Sequence, residues 1–197
     1  MDIKEVWKDF VSTSRKRKEL VERKLGPNVI SEDSFRMELG YKLSQIVSSF
    51  KVFAEYPCHE SSSQKWDLCY FDDGRNCLEI KYMRPIPSDK NRPRTRHYGS
   101  ILSDLFKLKL YSKDECNLYF VLITDKKFKK YLLRKGFPIQ KEGTYEKSYD
   151  LEGVPNTAKR EVERRLKGQI PEKIDLSLRL LDKDDGNDFS FYLIQVL

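Results

Sequence analysis

Three charged residues lie around one predicted β-hairpin: Asp67 before its turn, and Glu79 and Lys81 after it. Glu79 and Lys81 are two residues apart, so on a strand they project from the same face of the sheet. Two carboxylates and an ammonium on a half-buried face cost free energy unless a partner compensates them. Mg²⁺ prefers carboxylate oxygens, needs only one or two from the protein, and keeps positions open for water and phosphate. The pattern therefore predicts a divalent-metal site.

The register of the hairpin decides whether its two arms share that site. An Asp-Asp-Gly turn between short aromatic and apolar runs is typical of a hairpin. A two-residue loop would place Asp67 on the opposite face from Glu79. A three-residue loop, residues 72 to 74, pairs Asp67 with Glu79 and Cys69 with Cys77, and it leaves a glycine at the left-handed bulge position. We therefore predict the three-residue register.

This constellation resembles the PD-(D/E)XK nuclease superfamily, whose fold is restriction-endonuclease-like, over about residues 31 to 125. In that superfamily an Asp near one strand and a Glu-x-Lys on the next bind Mg²⁺ and activate water, often with a Glu from the preceding helix. Trp66 stands where the name of the motif has proline, a position that varies within the superfamily. The resemblance implies Mg²⁺ or Mn²⁺ as cofactor. It assigns metal binding to Asp67, Glu79, the Ile80 backbone carbonyl and Glu38, and catalysis to Asp67, Glu79, Lys81 and Glu38.

Glu38 lies on a predicted helix that begins at Ser31 with an acidic first turn, as the helix dipole favours. It stands beside the apolar stripe of that helix, and the next predicted strand, residues 51 to 57, leads into the hairpin. The sequence leaves two interpretations open: a carboxylate of the metal site, or an ordinary solvated side chain on the helix surface.

A basic segment follows the Glu-x-Lys strand, with three prolines and almost no apolar residues between positions 84 and 98. Such a composition predicts a long exposed loop. Its position next to the predicted metal site favours an arm that grips phosphates, and a simple solvated connection is the alternative. The residues predicted to contact nucleic acid are Arg84, Lys90, Arg92, Arg94, Arg96 and His97.

The surrounding pattern predicts an α/β fold in which helices flank a mixed central β-sheet, with a C-terminal β-hairpin that extends the sheet or forms a small lobe. Residues 101 to about 112 follow a helical pattern, and 117 to 124 form a nearly continuous apolar strand. No clear period marks residues 136 to 155. We expect a single domain over residues 1–197, made of an N-terminal basic helix (1–30), a catalytic core (31–135) and a C-terminal helix with a hairpin (136–197).

Composition favours a polyanionic partner, because 38 Lys and Arg against 31 Asp and Glu give a net charge of +7. Neither an apolar run long enough to span a membrane nor an N-terminal signal core is present in the sequence, so we expect no membrane partner. The four cysteines lack Cys-x-x-Cys spacing, which favours reduced thiols and a cytoplasmic location. A disulfide between Cys69 and Cys77 is sterically conceivable in the predicted register.

We therefore expect a metal-dependent endonuclease of restriction, defence or repair type, with double-stranded DNA favoured over RNA and a homodimer left open. A catalytically inactive nucleic-acid-binding module of the same fold is the main alternative. A third is a basic interaction protein in which the Glu-x-Lys sequence is a coincidence.

Overall fold

The computed structural model describes residues 2–26, 29–48, 51–58, 63–83, 91–112, 116–167 and 170–197, and within these ranges the chain forms five helices and seven strands. The helices are α1 (Ile3–Leu25), α2 (Glu32–Ile46), α3 (Asn91–Tyr111), α4 (Lys126–Arg134) and α5 (Asn156–Leu166). The strands are β1 (Val52–Pro57), β2 (Lys65–Asp72), β3 (Gly74–Met83), β4 (Cys116–Asp125), β5 (Gly143–Asp150), β6 (Lys173–Asp185) and β7 (Phe189–Val196).

All seven strands belong to one mixed sheet in the order β1-β2-β3-β4-β7-β6-β5. The pair β3 and β4, joined through α3, is parallel, and every other neighbouring pair is antiparallel. The predicted α/β class with a mixed sheet is confirmed. The C-terminal hairpin β6–β7 extends this sheet, because β7 pairs with β4. β5, which the sequence did not predict, is the edge strand beyond β6.

Each face of the sheet carries its own hydrophobic core. On one face, α1 and α2 pack against Leu78, Ile80 and Tyr82 of β3. On the other, α3, α4 and α5 pack over Cys77 and Met83 of the same strand. This is the alternation that the sequence predicts for β3, and it assigns Glu79 and Lys81 to the α3 side, since they alternate with Leu78, Ile80 and Tyr82.

The predicted loop over residues 84 to 98 is wrong from Asn91 onward, where α3 begins. Residues 84–90 lie outside the described chain. Pro93 fits the first turn of α3, because the first N–H groups of a helix have no intrahelical partner to lose. Further along, Tyr98, Ile101 and Leu102 are buried against the sheet, and this burial outweighs the polar, proline-containing start of the helix.

The helices α3 and α5 cross in close contact at Gly99. A Cβ at that position would lie 2.5 Å from the carbonyl oxygen of Ala158 and 2.7 Å from its Cα. Only glycine allows the two backbones to approach this closely. The contact fixes α5 against the N-terminal half of α3.

None of the helices in the described ranges combines the length and the apolar character needed to cross a membrane.

Candidate active site

The hairpin β2–β3 has the predicted three-residue register, with Leu68 opposite Leu78 and Cys69 opposite Cys77. Gly74 has the predicted positive φ, 99°. The two thiols remain free, with their sulfur atoms 3.4 Å apart.

Asp67 and Glu79 meet where the backbone ladder between β2 and β3 ends. Beyond Leu68, the Asp67 carboxylate replaces a backbone acceptor: its Oδ2 accepts a hydrogen bond from the Ile80 N–H at 2.7 Å. The Asp67 N–H in turn donates to Glu79 Oε1 at 3.3 Å. The structure therefore brings together the two carboxylates that the sequence predicts, on the strands and in the register predicted for them.

Glu79 is almost completely buried, at 2 % exposure, and it is paired with a lysine from α3. Lys107 Nζ lies 2.7 Å from Glu79 Oε1 and also donates to the Lys65 carbonyl at 2.8 Å. On the opposite side of the hairpin, the Arg36 guanidinium lies 3.7 Å from Asp67 Oδ1. Both carboxylates thus have a cation of the protein beside them.

Lys81 lies between two acidic side chains from different helices. Its Nζ is 3.1 Å from Glu32 Oε1 and 3.0 Å from Asp104 Oδ2. Glu32 also accepts the Tyr82 N–H at 2.9 Å, which ties the first turn of α2 to β3. Asp104 continues the network to Arg165 of α5, at 3.1 Å.

Burial has opposite effects on the two kinds of charge in this cluster. It raises the pKa of Glu79 well above its usual range, Asp67 adds to the effect, and Lys107 opposes it. Burial also raises the pKa of Asp67, although the hydrogen bond from the Ile80 N–H acts to lower it. Both carboxyls therefore hold a proton more readily than exposed ones do.

The lysines of the cluster stay charged. Burial alone would lower the pKa of Lys81, but Asp104 and Glu32 outweigh it and raise that pKa above its ordinary value. The pKa of Lys107 is likewise raised, because Glu79 and Asp104 outweigh its burial. Lys81 is therefore an ammonium and a source of positive potential, not a base.

Glu38 does not join this cluster. Its Oε2 pairs with Arg17 of α1 at 3.2 Å, on the other face of the sheet. Glu32, at the start of the same helix, is the helical carboxylate that reaches Lys81. Sequence reasoning also missed Asp104 and Lys107. The signal for them was present: Asp104 and Lys107 are the two charged residues in the mostly apolar stretch from Ile101 to Leu108.

The predicted nucleic-acid residues divide into two groups. Arg94, Arg96 and His97 lie on the first turns of α3, so they belong to a helix surface and not to an extended arm. Arg84 and Lys90 lie outside the described residues, as does the side chain of Arg92.

A divalent ion could be held at the hairpin by few ligands. Across the described ranges, no group of three or more His, Cys, Asp or Glu side chains is placed to hold a metal ion. Mg²⁺ needs only one or two carboxylates, and Asp67 and Glu79 supply two. The Ile80 carbonyl faces the same gap as the Ile80 N–H, because the two groups of one strand residue point toward the same neighbour. These three residues fit Mg²⁺ or Mn²⁺, provided that Lys107 releases Glu79.

Comparison with protein-family models, with curated proteins and with solved structures finds no match to this chain.

Proposed function

We propose that this protein is a metal-dependent endonuclease with a restriction-endonuclease-like fold that hydrolyses phosphodiester bonds, with DNA as the favoured substrate. The observation that carries the proposal is the meeting of Asp67 and Glu79 at the end of the β2–β3 ladder. Lys81 follows two residues later on the same face of β3. An Asp on one strand and a Glu-x-Lys on the next is the pattern on which the sequence resemblance depends.

In this proposal, Asp67, Glu79 and the Ile80 carbonyl would hold Mg²⁺ or Mn²⁺, which lowers the pKa of bound water and offsets charge on a phosphate oxygen. Lys81 places a permanent positive charge beside the reacting phosphate and stabilises the negative charge that develops there. Glu32 and Asp104 keep Lys81 protonated and fix its position. They are positioning residues, because they act through Lys81.

One observation favours the second candidate, a catalytically inactive nucleic-acid-binding module. Lys107 at 2.7 Å from Glu79 and Arg36 at 3.7 Å from Asp67 already provide the positive charge that the two carboxylates need. A site neutralised in this way is stable without a metal ion. Both candidates bind nucleic acid, and they differ in whether a divalent ion replaces Lys107 beside Glu79.

Supercoiled plasmid DNA incubated with Mg²⁺, Mn²⁺ or EDTA tests the proposal. We expect nicked or linear plasmid with either metal and intact plasmid with EDTA. Asp67→Asn should abolish cleavage, whereas Asp73→Asn, at the exposed tip of the same hairpin, should cut like the parent protein. Cleavage that persists in Asp67→Asn would refute the assigned site. Absence of cleavage with both metals, together with retained DNA binding, would favour the inactive module.

A further inference from the structure

A cleft of about 660 Å³ lies between the start of α3 and the exposed side of α5. A neighbouring cavity of about 400 Å³ shares Arg96, His97, Glu161 and Arg164 with it and reaches Lys81. The cleft therefore leads from the protein surface to Lys81. It is lined by Arg96, His97, Thr157, Arg160, Glu161 and Arg164.

Arginines outnumber acids in this lining, since three guanidiniums face a single carboxylate. The side chains of Arg96 and Arg164 are 63 % and 60 % exposed, whereas that of Glu161 is 8 % exposed. Arg160 and Arg164 are four residues apart on α5, so they lie on the same side of the helix, one turn apart. The cleft thus presents a row of cations to solvent above a buried carboxylate.

Glu161 holds two arginines of the lining, Arg96 and Arg164, and the adjacent Arg165 in place. It accepts hydrogen bonds from Arg96 at 3.2 Å, Arg164 at 2.6 Å and Arg165 at 3.0 Å. Burial works to raise the pKa of Glu161, but the bonds from Arg164 and Arg165 lower it to about 2. A guanidinium has five N–H donors, so each arginine keeps donors for a ligand. Anchored guanidiniums lose less conformational entropy when they bind an anion.

A chain of contacts connects this cluster with the active site. Arg165, held by Glu161, lies 3.1 Å from Asp104, and Asp104 lies 3.0 Å from Lys81. The cations of the cleft and the proposed catalytic ammonium therefore share one network of carboxylates.

We propose that the cleft between α3 and α5 binds the phosphate backbone of nucleic acid and leads it to Lys81. The inference deepens the proposed function and rests on it for the choice of polyanion. Arg96 and Arg164 meet at Glu161, and Arg160 extends the positive charge by one turn of α5 along an open cleft, which suits a chain of phosphodiesters better than a single phosphate. From Asn91 onward, a surface of two packed helices takes the place of the predicted extended arm, with Arg160 and Arg164 as new contacts.

His97 provides a reporter inside this cleft. Its buried Nδ1 has no hydrogen-bond partner among the described residues. Burial lowers the pKa of His97, and Arg96 and Lys81 add to the effect, while Asp125 and Glu161 oppose it. A phosphate bound beside Arg96 would reverse the local potential and raise the pKa of His97.

The binding test uses the whole chain, a short labelled DNA duplex and EDTA, so that no cleavage is needed. The triple variant Arg96→Gln, Arg160→Gln, Arg164→Gln should bind more weakly. The slope of log K against log salt should decrease by about 2 to 3, since each phosphate contact contributes about 0.9. The matched control is Lys16→Gln, Arg23→Gln, Lys24→Gln on α1, which packs on the other face of the sheet. It loses the same charge and should keep the slope of the parent.

The inference would be overturned if the triple variant had the same salt slope as the parent. It would also be overturned if the α1 control lost as much of the slope as the triple variant does. Because the triple variant removes partners of Glu161, a second measurement uses the unmodified cleft. The chain has two histidines, so His59→Gln assigns the NMR signal of His97. Its pKa should rise with the duplex and stay nearly unchanged with the same concentration of inorganic phosphate. No rise with the duplex would refute the inference.

The two proposals fail in different ways. A protein that binds DNA through this cleft in EDTA but cuts nothing with Mg²⁺ or Mn²⁺ refutes the proposed activity and supports the cleft. A protein that cuts DNA, and whose triple variant binds and cuts like the parent, refutes the cleft and keeps the activity.

Discussion

Replacing Gly99 by alanine would place a methyl group against the backbone of α5. The new Cβ would lie 2.5 Å from the Ala158 carbonyl oxygen, whereas ordinary van der Waals contact begins at 3.4 Å, so the helices must separate by about 0.9 Å. The obstructing atoms belong to the backbone and cannot rotate away. Overpacking of this kind costs roughly 1–3 kcal/mol, and the rigid obstruction places Gly99→Ala near the upper end.

Helix propensity acts in the opposite direction. Alanine is favoured over glycine inside a helix by about 1 kcal/mol, so Gly99→Ala should lower the free energy of unfolding by a net amount of about 2 kcal/mol. Urea unfolding measures this as a lower midpoint with an unchanged m value. Gly153→Ala is the control, because its Cβ would meet only the Asp150 carbonyl, at 3.5 Å. Its stability should be unchanged or slightly higher.

A second substitution tests the cause. The double variant Gly99→Ala/Ala158→Gly removes the Ala158 side chain but keeps the O, Cα and C atoms that the new methyl group meets. Its stability should therefore not return to that of the parent protein. If Gly99→Ala is as stable as the parent protein, or gains the propensity term of about 1 kcal/mol, α3 and α5 do not approach as closely as described.

Three further predictions concern the charges of the candidate active site. The free energy of unfolding of the parent relative to Glu79→Gln should fall as pH rises above about 4.3, the pKa of Glu in an unfolded chain. The reason is that the pKa of Glu79 is raised in the folded protein, so ionising it destabilises the fold. If the free energies of unfolding of the two proteins, measured in urea, changed in parallel with pH, this prediction would be wrong. Lys81→Met should abolish plasmid cleavage yet leave Mn²⁺ affinity, measured by calorimetry, within about twofold; equal loss of both would assign Lys81 a role in metal binding. Lys107→Met should bind Mn²⁺ about tenfold more tightly, by about 1.4 kcal/mol, because the competing ammonium is gone. Lys109→Met, two residues along the same helix, is its control, and equal affinities in the two variants would show that Lys107 does not occupy the metal position.

The hairpin could be predicted from sequence because its determinants are local. The turn residues and the alternation of apolar side chains set the register of β2 against β3, and the register brings Asp67 to Glu79. Neither step requires knowledge of how distant elements pack.

The helical partners could not be predicted in the same way. Glu32 and Glu38 are six residues apart, about 1.7 turns, so they face different directions. Which of them meets Lys81 depends on how α2 lies across the sheet, and this is set by tertiary packing. Asp104 and Lys107 lie in the part of α3 that the sequence predicts as helical, but that their side chains face the hairpin depends on how α3 lies across the sheet. β5 escaped prediction because most of its side chains are exposed and show no apolar alternation.

The position of β7 in the sheet has a consequence for synthesis of the chain. β5 and β6 pair with each other but reach β4 only through β7, which follows both of them in the sequence. Phe189 follows Asp125 by 64 positions, which take roughly 3–13 s to translate at about 5–20 residues per second. During that interval the apolar β4 is an open edge that can pair with another nascent chain. Slower translation would lengthen this exposure, so synthesis should favour soluble product when β7 emerges quickly.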